Sequence, residues 1–224
     1  MPKPLYVFDL DETLIDGDCA MIWNQFLVAK GYVDDPEFLE KDAWLMAQYA
    51  QGELDMQQYL SFAMQPLANL SKSEVDDLVI ECVDTQILPL VFPQAAKLIQ
   101  QLKHDDIDMI VVSASVSFLV HQVALALGIS QALGIDLEVN NGSYTHSILG
   151  VPSYREGKVT RLNQWLKQQP KDYGNIHFFT DSINDLPMCE AADFTYLVNP
   201  CPQLRSIGQK PNWVRLHWNR SSDW

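Results

Sequence analysis

Four short apolar runs, at 5–8, 107–112, 176–179 and 194–198, alternate with helical periods, and this alternation constrains the fold more than any other feature of the chain. The runs are rich in Val, Ile, Phe and Tyr and show little polar alternation, the pattern of strands covered on both faces in a parallel sheet. Helical patterns follow at 93–103, 116–127, 157–167 and 184–192, and 213–217 is a candidate edge strand. Strand-helix alternation of this kind predicts an α/β fold built on a Rossmann-like, doubly wound parallel sheet.

The stretch between the first two strands breaks the rhythm. It holds no convincing strand and instead reads as four amphipathic helices at 20–30, 36–50, 56–65 and 71–82. Ser71 with Glu74 three residues later is a capping box, and Gly31 and Gly52 are natural stops for the first two helices. The expected organisation is a core formed by 1–15 and 89–224, with 16–88 as an inserted helical cap domain. A smaller feature at 137–148 carries Asn141-Gly142 between alternating residues and predicts a hairpin.

Charge and composition exclude several partners. A net charge of -14 and a pI near 4.5 leave no excess of Lys or Arg to displace the counterions of nucleic acid or to seek an anionic membrane. No apolar run has the length of a membrane span, and the N-terminus passes through Lys3 and Pro4 into the first strand with no signal-peptide pattern. Cys19, Cys82, Cys189 and Cys201 form no CxxC pair, which suits free thiols in a reducing compartment. A cytoplasmic protein is expected. The five histidines show no metal-ligand spacing.

Ligands of open α/β sheets bind beyond the carboxyl ends of the strands. The first run leads into Asp9, the second into Ser113 and the third, through Thr180, into Asp181, so a parallel sheet would bring all three to one rim.

These residues carry a resemblance. Asp9-Leu-Asp11-Glu-Thr13-Leu resembles the first motif of the haloacid dehalogenase superfamily, and Ser113 in VVSAS, Lys158 in REGK and Asp181-Ser-Ile-Asn-Asp185 resemble the other three, in order. DLDETL also occurs in phosphatases that act on polymerase tails, but the helical insertion and REGK fit that branch poorly. With DSxxDLP as the fourth motif, the chain is similar to the phosphoserine-phosphatase-like branch. Glu12 and Thr180 stand where relatives often have glycine.

The resemblance implies a Mg2+-dependent phosphomonoester hydrolase working through an aspartyl phosphate on a small-molecule phosphomonoester. Asp9 would be the nucleophile and Asp11 the general acid and then base, while Ser113 and the Ala114 amide would hold the phosphoryl group at a helix start near Val116. Lys158 would supply positive charge against the repulsion of carboxylate and phosphate; as a cation opening a helix it opposes the dipole, which marks it as functional. Asp9, the Asp11 carbonyl and Asp181 would ligate the metal, Asp185 would orient a metal-bound water, and Asn184 would contact the phosphoryl group.

The insertion contains no arginine, which weakens phosphoserine, whose carboxylate calls for a bidentate partner. It offers Asp16, Asp18, Asp42, Glu53 and Asp55 with Trp23, Phe26, Trp44, Tyr49, Tyr59 and Phe62, a combination suited to an amine or imidazolium. DLDETLIDGDCAMIW, VPSYREGKV and DSINDLPM also resemble bacterial histidinol-phosphatases of the superfamily, which implies histidinol phosphate as substrate with Asp16 and Asp18 on its cationic end. Phosphoserine and phosphocholine or phosphoethanolamine remain alternatives. A phosphotransferase or a non-catalytic regulatory protein is the reading from a different class, and the complete set Asp9, Asp11, Ser113, Lys158 and Asp181 argues against the regulatory one.

Overall fold

The computed structural model describes residues 2–207 and 210–219. Its main sheet contains β1 (Leu5–Phe8), β2 (Asp108–Val116), β3 (Gln131–Ile135), β6 (Ile176–Thr180), β7 (Phe194–Val198) and β8 (Trp213–Leu216), in the order β3-β2-β1-β6-β7-β8. Every pairing in it is parallel. The chain builds outward from β1 to β3 on one side, then returns to β6 on the other. That reversal at β1 is the switch point at which open α/β sheets bind ligands.

The apolar runs are buried on both faces, as parallel strands require. Leu5 and Val7 point to one side, with Ile110, Val112 and Phe178, under Leu162 of α7 (Glu156–Leu166) and Met188 of α8 (Leu186–Ala191). Phe8, Val111 and Phe179 point to the other, against Ile99 of α5 (Pro93–His104) and Leu119 and Val123 of α6 (Ser117–Leu127). Each large apolar side chain removed from water on this scale contributes about 1.5–3 kcal/mol before the entropy of ordering is subtracted.

Between β1 and β2 lie α1 (Cys19–Ala29), α2 (Phe38–Gln51), α3 (Met56–Ala63) and α4 (Lys72–Cys82). Their apolar residues, among them Trp23, Leu45, Leu60 and Val79, join the same buried cluster as Phe8 and Val111. The Ser71 capping box forms, with Ser71 N donating to Glu74 Oε2 at 2.8 Å and Glu74 N to Ser71 Oγ at 3.3 Å. Gly52 ends α2 in the left-handed conformation at φ +75°. The two connections of this insertion run side by side: Asp16 N donates to Leu90 O at 2.8 Å and Phe92 N to Leu14 O at 3.0 Å.

The sheet differs from the sequence expectation at β2 and β3. The second strand continues through Ser113 to Val116, because β3 pairs along it as far as Val116↔Ile135. β3 has weak strand composition, QALGI, and it fits through a close backbone approach. A Cβ on Gly134 would lie 2.8 Å from Ser115 O and from Ser117 Cα. The predicted hairpin is present as β4 (Leu137–Asn140) and β5 (Ser143–Ile148). Cys19, Cys82 and Cys189 are buried free thiols, and Cys201 is half-buried. Among the described residues, no helix is long and apolar enough to cross a membrane.

Candidate active site

Register brings the polar strand ends together. Phe8 pairs with Val111 on one side and Phe179 on the other, so Asp9 emerges beside Val112 and Thr180, with Ser113 and Asp181 one residue further on. Asp9 N donates to Phe179 O at 2.9 Å, and Leu10 N donates back to Asp9 Oδ1 at 2.8 Å. Lys158, in the first turn of α7, donates from Nζ to Asp9 Oδ1 at 2.8 Å and to Asp185 Oδ2 at 2.9 Å. Asp185 is fixed from behind by Thr180 Oγ1 at 2.7 Å. All four side chains are buried.

A second group forms around Asp11. Its Oδ2 accepts from Ser113 Oγ at 3.2 Å and Ser115 Oγ at 3.0 Å, and its Oδ1 accepts from Cys19 N at 2.7 Å. The carboxylate is therefore aimed away from Lys158 and across the mouth of β2. Thr13 Oγ1 donates to Asp181 Oδ1 at 3.1 Å and ties the first loop to the fourth motif.

Charge is unbalanced here. Burial and the neighbouring carboxylates of Asp185, Asp181 and Asp11 push Asp9 well above the usual range, against the pull of Lys158. Burial, then Asp185, pushes Asp181 up to about 8. Burial opposes the charge on Lys158, but Asp185 and Asp9 outweigh it and hold the ammonium protonated. Lys158 thus serves Asp9 and Asp185 together, while Asp181 is held by Thr13. A hard divalent cation fits this surplus and this all-oxygen donor set, with the Asp9 and Asp181 carboxylates and the Asp11 carbonyl as its protein share and waters completing it. Asp185 is committed to Lys158 and Thr180, and the Asp11 carboxylate to its serines. Among the described residues, no group of three or more His, Cys, Asp or Glu side chains is arranged to hold a metal by itself.

Beyond Asp11, Ala114 and Ser115 lies a pocket walled by α1, α2 and α3. Its open volume is only about 50 Å³, and no Lys or Arg among the described residues lines it. Asp18 stands in its wall. It caps α1 by accepting from Met21 N at 2.9 Å, and burial with the nearby Asp11 charge pushes it up to about 7. Trp23, Tyr49 and Tyr59 from the insertion and Phe118 from α6 supply the aromatic lining.

The other acids and aromatics of the insertion are sorted by packing. Asp55 caps α3, Phe62 stacks on Phe38 at 4.5 Å, Trp44 is exposed, and Asp42 is buried against Asn24. Asp16 sits at the junction with Leu90 and does not line the pocket. Ala114 lies inside β2, ahead of α6, whose N-cap is Val116 as expected. Asn184 Nδ2 donates to Tyr49 O at 2.8 Å, joining the fourth motif to the end of α2.

Sequence reasoning passed over Ser115 and Asn24, and noted Thr180 only as a departure from glycine. Ser115 was legible, since a strand places residues two apart on one face and VVSAS puts Ser113 and Ser115 together. The two departures from glycine now have local accounts. Thr180 orients Asp185, and Glu12 takes φ +53°, the left-handed region that glycine occupies at least cost.

A family model described as haloacid dehalogenase-like hydrolase matches residues 6–190. A histidinol-phosphatase from Neisseria meningitidis is 34% identical over 220 residues, covering 96% of this chain and 99% of that protein. A crystal structure of a protein of unknown function from Bordetella pertussis is 33% identical with TM-score 0.87, covering 96% and 99% of the two chains. A phosphoserine phosphatase structure, of a phospho-aspartyl intermediate analogue, shares the fold at 20% identity and TM-score 0.70, covering 96% and 94%.

Proposed function

This chain belongs to the haloacid dehalogenase-like hydrolases and is a phosphatase of that family, and from that premise we propose that it hydrolyses histidinol phosphate through an aspartyl phosphate on Asp9. The observation that carries the substrate reading is the pocket behind Asp11. It presents Asp18 and four aromatic side chains and, among the described residues, no basic group, which favours an ammonium or imidazole and disfavours the carboxylate of phosphoserine. The likeness to the Neisseria histidinol-phosphatase, over nearly the whole of both chains, points the same way.

In this reading Asp9 attacks phosphorus as the bond to the leaving oxygen breaks, and Asp11 gives that oxygen a proton. The Asp11 carboxylate then takes a proton from the water that attacks the aspartyl phosphate, releasing phosphate and restoring Asp9. Lys158 holds Asp9 in line and offsets charge on the transferring group. Ser113 and Ser115 orient Asp11, and Asn184 spans the phosphate end and α2. A bound Mg2+ would supply positive charge to the phosphoryl oxygens.

Residues 16–88 act here as a cap over a core formed by 1–15 and 89–224. The free space of about 50 Å³ is small for a metabolite, and in this reading the cap opens at the paired junctions beside Asp16 and Leu90 to admit one. A cytoplasmic location accords with four free thiols.

The test is a panel containing histidinol phosphate, phosphoserine, phosphocholine and phosphoethanolamine, assayed with Mg2+ and with Asp9→Asn as control. Comparable turnover of histidinol phosphate and phosphoserine would overturn the substrate, and full activity in Asp9→Asn would overturn the mechanism. Products analysed with added alcohols separate hydrolysis from phosphotransfer.

A further inference from the structure

One buried polar atom in the pocket wall has no partner. Asn24 is 1% exposed, and its Oδ1 accepts no hydrogen bond. Its Nδ2 donates to Asp42 Oδ1 at 2.9 Å, and Asp42 is itself 1% exposed. An ionised carboxylate only accepts, so Asp42 compels the nitrogen of the Asn24 amide to face it and leaves the oxygen on the other side. Buried acceptors are nearly always satisfied, and this one belongs to the wall that also carries Asp18, Trp23 and Tyr59.

We propose that Asn24 Oδ1 is a specificity-determining acceptor for a second N–H on the substrate's leaving group, distinct from its ammonium, and that Asp42 is the positioning residue that fixes its orientation. The inference rests on the reading of the protein as an amino-alcohol phosphatase and adds which atom distinguishes one amino alcohol from another. A nitrogen heterocycle seated among Trp23 and Tyr59 can meet both demands, its face on the aromatics and its N–H on Asn24. A phenyl ring of similar size would fill the same space and leave the acceptor bare, which is costly for a buried polar atom.

The experiment compares histidinol phosphate with phenylalaninol phosphate, esters that share the phosphate and the amine and differ in the ring N–H. Wild-type protein is expected to favour the former in kcat/KM by about 10- to 100-fold, the range of one buried hydrogen bond. Asn24→Leu should bring the ratio close to parity, with the change in KM and not in kcat. Because that variant strands the Asp42 carboxylate, Asn24→Leu/Asp42→Leu is measured beside it, since replacing both partners by apolar groups removes the unsatisfied charge. Parity in the wild type, or a preference that survives in either variant, overturns the inference and leaves the phosphatase reading intact. A wild type that turns over neither ester, while active on other phosphomonoesters, overturns the substrate reading and the inference together.

Discussion

Lys158 Nζ stands 2.8 Å from Asp9 Oδ1, with the two side chains 1% and 6% exposed. The residues are 149 apart in sequence and meet because α7 packs over the carboxyl end of β1. The pair places a permanent cation against the proposed nucleophile before any substrate arrives.

Removing the cation should cost both stability and activity. Lys158→Met leaves Asp9 and Asp185 buried without their shared donor, and breaking a buried pair costs about 3–5 kcal/mol. Urea unfolding is expected to show that loss, together with a fall in kcat of roughly a hundredfold or more. Asp9→Asn keeps an oxygen for Lys158 and should unfold at higher urea than Lys158→Met. The opposite order would contradict the charge balance described above.

Magnesium should stabilise the protein independently of turnover. Neutralising the surplus on Asp9 and Asp181 predicts a rise in Tm, worth about 2.7 kcal/mol at a hundred times Kd. Asp181→Asn removes one proposed ligand and should shrink the shift. Equal shifts in both proteins would remove Asp181 from the metal site.

Two glycines with different surroundings should respond differently to alanine. A Cβ on Gly157 would lie 1.9 Å from Pro152 O, immediately before Lys158, whereas Gly142 has nothing within 4 Å and carries only φ +81°. Gly142→Ala should cost about 1 kcal/mol of stability with no effect on rate. Gly157→Ala must displace backbone and should lower kcat as Lys158 moves. A Gly157→Ala protein with wild-type kcat would show that Lys158 tolerates displacement.

Asp42 gives a pH dependence of stability. Burial pushes it up to about 6, outweighing the Asn24 hydrogen bond, so the folded protein binds this proton more tightly than the unfolded chain does. A raised carboxyl stabilises the fold at low pH, and its contribution is lost as pH rises from about 4 through about 6, up to about 3 kcal/mol in total. Asp42→Asn should flatten that part of the curve, read as the difference between the two proteins in denaturant midpoint across the range. Parallel curves would place the titration elsewhere.

The sequence by itself determined the parallel sheet, because unbroken apolar runs followed by helical periods have few other ways to bury both faces. It also determined the polar strand ends Asp9, Ser113 and Asp181, and the four helices between β1 and β2. Those signals are local, carried by spacing and side-chain type within a dozen residues. Tertiary structure decided the rest. β3 lacks strand composition and exists because Gly134 lets its backbone approach Ser115. That pairing extends β2 through Ala114 up to the start of α6. The acids and aromatics of the insertion looked alike in sequence, and only packing divided them into caps, core and the pocket lining of Asp18, Trp23, Tyr49 and Tyr59. The orientation of Asn24 was equally hidden, since it depends on a carboxylate 18 residues away, in another helix, that accepts and cannot donate.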